Sequence, residues 1–109
     1  MQWQVKFFQN YRGDYPVKDF IMKQDEKTYA KILALIKLLN NNGPFIRPPY
    51  VKKIIDNVWE LRITGKTQIR IFYIYFNNIF YLLHIFIKKT QKTPNNEIKI
   101  ALDRARRII

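Results

Sequence analysis

The chain has 109 residues, 48% of them hydrophobic, enough for one modest core with no room for a second, so residues 1–109 are expected to fold as a single domain. It contains no cysteine, which excludes disulfides, thiolate metal sites and a cysteine nucleophile and suits a reducing, cytoplasmic setting. Twenty Lys and Arg against eight Asp and Glu give a net charge of +12 spread along the whole length, so the folded body, not a basic tail, is expected to attract a polyanion.

Met1-Gln2-Trp3-Gln4 opens without the apolar stretch of a signal peptide. Trp3–Phe8 alternates, with Val5 and Phe7 against Gln4 and Lys6, which predicts an opening strand broken by Arg12-Gly13-Asp14. Val17–Asn40 has a helical pattern in two pieces, divided near Gln24-Asp25, where Asp25 can cap the second. In that second piece Tyr29, Ile32, Leu33, Ile36 and Leu39 form an apolar stripe that Lys27, Lys31 and Lys37 avoid. Asn40-Asn41-Asn42-Gly43-Pro44 ends it.

Pro48-Pro49 predicts an extended loop over Phe45–Tyr50, followed by Lys52-Lys53. Three strand-like runs come next, Val58–Thr64, Thr67–Phe76 and Ile79–Lys88, joined at Gly65-Lys66 and Asn77-Asn78 as an antiparallel meander. The apolar stretch Ile69–Ile87 is long enough to be tested as a membrane span, but Arg70, Asn77-Asn78 and His84 and its β-branched and aromatic content fit a hairpin instead. Thr93-Pro94 opens a last helix as cap and first residue, with Ile98, Ala101, Leu102, Ala105 and Ile109 on one stripe. The order β-α-α-β-β-β-α predicts an α+β fold, an antiparallel sheet with helices packed on one face and the other face left for function.

Val58-Trp59-Glu60-Leu61-Arg62, Gln68-Ile69-Arg70-Ile71-Phe72-Tyr73 and His84-Ile85-Phe86-Ile87-Lys88-Lys89-Thr90-Gln91-Lys92-Thr93-Pro94, in that order and spacing, resemble the phage-derived HigB-type branch of the RelE toxin superfamily. The close match covers about half the chain and the element order covers all of it; Lys88–Pro94 is its most distinctive part. Asn57 stands where the family commonly has glycine, a turn position asparagine also tolerates. The resemblance implies a RelE-like fold and the toxin of a type II toxin-antitoxin system: an endoribonuclease cleaving mRNA, usually on the ribosome. Its implied partner is an antitoxin with a helix-turn-helix domain encoded beside it.

Metal-free RNA cleavage uses the 2′-hydroxyl as nucleophile, so the protein must accept that proton, stabilise a dianionic phosphorane and protonate the leaving 5′-oxygen. No cofactor is expected, and one His with scattered carboxylates gives no metal-ligand spacing. Strand alternation places Glu60 and Arg62 opposite in face to Trp59, Leu61 and Ile63, and Arg70 opposite in face to Ile69 and Ile71. The pair Arg62 and Arg70 is expected to grip phosphate on an outward face. Glu60 is either the general base or the holder of Arg62, and a lysine among other cations is the rival base. Phe72 falls on the same face, where it could stack a base.

The resemblance implies that Lys88, Lys89 and Lys92 are catalytic or RNA-positioning groups, and Lys52, Lys53 and Lys66 are expected as further RNA contacts. His84, the sole histidine, is either a proton carrier or a packed strand residue. The hairpin loop is expected to decide: a two-residue turn pairs Arg70 with Ile85, shares its face with Lys89 and turns His84 to the core, whereas a three-residue loop brings His84 and Lys88 to the arginine face. The alternatives to a nuclease are a non-catalytic RNA- or DNA-binding module, a protein that docks an acidic partner, and a degenerate toxin that binds only its antitoxin.

Overall fold

Asp25 decides where the two N-terminal helices part: its carboxylate accepts the Thr28 N–H at 2.7 Å, starting α2 (Glu26–Asn42) after the short α1 (Pro16–Met22). That bond holds the Asp25 carboxyl below its ordinary pKa. Gly43 ends α2 at φ 55°, its N–H returning to the Leu39 carbonyl. A Cβ there would lie inside the Trp3 indole, so both the left-handed turn and the packing of Trp3 demand glycine.

The computed structural model describes residues 2–109. Its strands are β1 (Gln4–Phe7), β2 (Val51–Ile55), β3 (Val58–Ile63), β4 (Ile69–Phe76) and β5 (Ile79–Ile87), with α3 (Asn95–Arg106) last. They form one sheet in the order β1-β5-β4-β3-β2. The mixed α+β organisation is as expected, and several particulars differ. Val51–Ile55 is an additional strand, paired antiparallel with β3, and β1 pairs parallel with β5, so the sheet is not wholly antiparallel. Instead of running extended from Phe45, the chain makes a short 3-10 turn over Gly43–Phe45 and then a turn through Pro48-Pro49 closed by Tyr50 N–H on the Arg47 carbonyl. Pro94, not Thr93, is the residue that caps α3, and no side chain bonds that end.

The helices also do not share a face. Val17, Ile21, Ile32 and Leu39 of α1 and α2 pack on Leu61, Ile63, Ile69, Ile71 and Leu82. Ala101 and Ala105 of α3 pack on Val58, Phe72, Ile74, Leu83 and Phe86, on the opposite face. The cause lies in β4, where the run Ile69–Ile74 is buried throughout and so needs a layer on each side. Each fully buried Ile or Leu of this set contributes about 1.5–3 kcal/mol. Small residues at Ala101 and Ala105 let α3 approach the sheet closely.

Asn77 and Asn78 have φ of 51° and 64°, a two-residue turn that pairs Phe76 with Ile79 and continues to Tyr73 with Leu82. Then the register shifts. Phe72 pairs with His84, Arg70 with Phe86 and Ile69 with Ile87, so Leu83 is the extra residue of a β-bulge. The expectation that loop length alone sets the whole hairpin is therefore corrected: the loop is even, yet the far half carries the odd register.

Candidate active site on the arginine face

Two adjacent strands bring the sequence-predicted carboxylate and arginines together, and a third adds Lys52. In β3 and β4, Arg62 pairs with Arg70 and Glu60 with Phe72, while on the other flank Lys52 pairs with Glu60. Glu60 Oε1 lies 3.5 Å from Arg62 Nε and 3.8 Å from Arg70 Nε. Glu60 is thus the shared counter-ion of both guanidinium groups.

This face is not the open one that alternation suggested, because α3 and the aromatic side chains cover part of it. The Glu60 side chain is 1% exposed and that of Arg70 6%, against 32% for Arg62. Phe72 is fully buried, 5.2 Å from the Phe86 ring centre, and cannot receive a base. The Arg70 Nη1 donates to the Ile69 carbonyl at 3.1 Å and to the Ile63 carbonyl at 3.5 Å, and its Nη2 donates to Gln68 Oε1 at 3.4 Å. Burial lowers the Arg70 pKa, Glu60 opposes that, and Arg62 adds to it. Glu60 Oε2 and Arg70 Nε have no hydrogen-bond partner among the described residues, an unusual state for buried polar atoms. The buried pair therefore supplies a fixed field beneath the site, and Arg62 is the arginine that reaches solvent.

His84 joins the arginine face because of the bulge. Its ring stacks on Phe86 with centres 5.7 Å apart, and its Nε2 lies 2.9 Å from Glu97 Oε1 in the first turn of α3. Burial lowers the His84 pKa, with the Glu97 hydrogen bond opposing and Arg104 reinforcing, so the ring favours its neutral form. A neutral ring that donates from Nε2 to a carboxylate keeps its lone pair on Nδ1. The sequence reading did not reach Glu97; its only signal was an acidic residue in a basic C-terminal segment, where Asp103 is the other one.

Lys88 continues the arginine face, its N–H bonded to the Gln68 carbonyl at 2.8 Å. A groove of about 460 Å³ lies between Lys52 and Lys53 of β2 and Lys88, Gln91, Lys92 and Asn95, with Glu60, Arg62 and Arg70 beside it and not in its lining. Four of the expected cations thus meet. His84 lines a separate small cavity with Pro16, Phe20 and Arg104. Lys89 is exposed and does not line the groove, and Lys66 lines a different one with Lys27 and Lys31 at the start of α2. Tyr50 was also missed, because β2 went unrecognised: its carbonyl accepts the Arg62 N–H at 2.8 Å and the residue is 46% exposed.

The family described as "Phage derived protein Gp49-like (DUF891)" matches residues 19–106, from α1 through the last turn of α3. The chain belongs to that Gp49-like family. It is a RelE-like, toxin-like family, which is the coarser part of what the sequence resemblance implied. A search of curated proteins returns no match. In this Gp49-like chain no three His, Cys, Asp or Glu side chains gather as metal ligands among the described residues. Among them, too, no helix is long and apolar enough to cross a membrane.

Proposed function

We propose that this Gp49-like chain is the toxin of a type II toxin-antitoxin pair and cleaves mRNA in the cytoplasm, on the ribosome, by attack of the RNA's own 2′-hydroxyl. The observation that carries the reading is the buried Glu60–Arg62–Arg70 cluster lying under the same sheet face as a lysine-walled groove. A groove with cations on both walls suits a single strand, whose phosphates need charge on either side. Arg62 meets the reacting phosphate and stabilises the phosphorane, and its guanidinium stays charged throughout.

Glu60, at 1% exposure, is too enclosed to receive a proton from RNA and acts by orienting the two arginines. The neutral His84 accepts the 2′-proton, and Lys88 donates to the leaving 5′-oxygen. Lys52, Lys53 and Lys92 hold the flanking phosphates, and Tyr50 offers an exposed ring on which a base stacks. The antitoxin, a helix-turn-helix protein encoded alongside, blocks this face.

Inducing the chain in cells and following protein synthesis and message integrity, with Arg62→Ala as control, tests the reading. Growth arrest with cleaved message in translating ribosomes, absent in the control, is expected. Intact message on wild-type induction refutes it.

A further inference from the structure

Glu97 and Arg104 stand seven residues apart, hence on the same side of α3. Both reach β5 at its bulge. Glu97 takes His84 Nε2 at 2.9 Å, and Arg104 Nη1 donates to the Leu83 carbonyl at 2.8 Å. The Phe8 N–H bonds the neighbouring Leu82 carbonyl at 2.9 Å, and the Phe8 ring lies 5.1 Å below the Arg104 guanidinium. The Leu83 carbonyl, at the break in the β4–β5 ladder, is thus taken up by a group from outside the hairpin, while the Leu82 carbonyl ends the parallel β1–β5 ladder.

Hydrophobic pattern alone does not specify this register. Apart from His84, residues 81–87 are apolar or aromatic, and the sheet has an apolar layer on each face. Sliding the far half of β5 by one residue exchanges Ile85 and Phe86 between two apolar layers and leaves both covered. Register in such a strand is weakly fixed by burial. The slide changes the polar groups instead: it pairs Arg70 with Ile85, carries His84 away from Glu97 and turns Lys88 off the groove.

We propose that Arg104 is a positioning residue that locks the Leu83 bulge through its carbonyl and so sets His84 and Lys88 on the arginine face. Its effect on cleavage rests on the nuclease reading above; its effect on register does not. Arg104→Met keeps the aliphatic stem over Phe8 and removes the donor. Interstrand nuclear Overhauser contacts are expected to change from Arg70–Phe86 in the wild type to Arg70–Ile85 in this variant. Cleavage of ribosome-bound message is expected to fall ten-fold or more in kcat with KM little changed. Arg104→Lys, whose ammonium can meet the same carbonyl, is expected to restore both.

An Arg104→Met protein that keeps the Arg70–Phe86 contact overturns the proposal, whatever its activity. Wild-type register lost on substitution in a chain that never cleaves RNA sustains the lock and refutes the nuclease reading. If Arg104→Met does not fold, Arg104→Lys decides alone: the Arg70–Phe86 contact retained supports the lock, and its loss overturns it.

Discussion

Changing Glu60 to Gln removes one negative charge from between two guanidinium groups and leaves the side-chain shape intact. At an effective dielectric of about 20, unit charges 3.5 and 3.8 Å apart attract by about 4 kcal/mol per pair. Repulsion between Arg62 and Arg70, and the desolvation of Glu60 and Arg70, offset most of that, so the intact cluster adds little over a well-packed apolar one. Breaking it is another matter. Arg70, 5% exposed, keeps its charge and loses its counter-ion, a loss of the kind that costs about 3–5 kcal/mol.

Gln retains a carbonyl acceptor, so the expected destabilisation is near the lower end, about 3 kcal/mol. With an unfolding entropy of about 2.1 cal/mol/K per residue, that corresponds to a fall of about 13 °C in Tm for a chain of this length. Adding Arg70→Met to Glu60→Gln removes the orphaned charge and is expected to recover at least half of the loss. Urea unfolding followed by circular dichroism measures these two variants and Arg70→Met alone. A Glu60→Gln protein within 1 kcal/mol of wild type, or a double variant as unstable as the sum of its singles, refutes the shared counter-ion argument.

Other expectations follow from the same geometry. His84 has a lowered pKa when folded, so the unfolded chain binds more protons as pH falls below about 6.5, and stability should drop through that window toward the folded pKa. Urea midpoints at pH 7 and pH 5 should therefore differ less in His84→Gln than in wild type; an unchanged difference contradicts the burial argument. Gly43→Ala should destabilise by about 2 kcal/mol or more, since strain at positive φ adds to a clash with Trp3, and a substitution without measurable effect on unfolding would disprove both causes. Lys92→Ala should lower the slope of log K against log salt for single-stranded RNA by about 0.7, and Lys89→Ala, outside the groove, should leave it nearly unchanged. Equal slopes for the two variants would remove the groove from the binding path.

Much of the frame was legible because it depends on local chemistry. Asp25 before a stripe of Ile32, Leu39 and their neighbours, and Asn77-Asn78 between two β-prone runs, are signals a short window contains. What was not legible depended on partners distant in sequence. Val51–Ile55 has an irregular burial pattern, with two exposed lysines in its middle, and becomes a strand only because β3 pairs with it. The face that carries Glu60 and Arg70 is partly covered by α3, which arrives from the far end of the chain and packs on Phe72 and Phe86, and alternation within β3 and β4 cannot show that. Likewise the Leu83 bulge sits inside a run that is apolar apart from His84, and the Arg104 side chain that meets its carbonyl lies outside the hairpin.

The lysines of β2 have a further consequence. β2 stands at one end of the sheet, and among the described residues no strand pairs with its outer side. Such a border invites a strand from another molecule, and charge at its middle is a common deterrent. Lys52 and Lys53 place two positive charges at the middle of that border as well as lining the groove. A change of both to alanine is expected to raise self-association at high protein concentration, whereas a change of both to arginine keeps the border charged and leaves the copies separate.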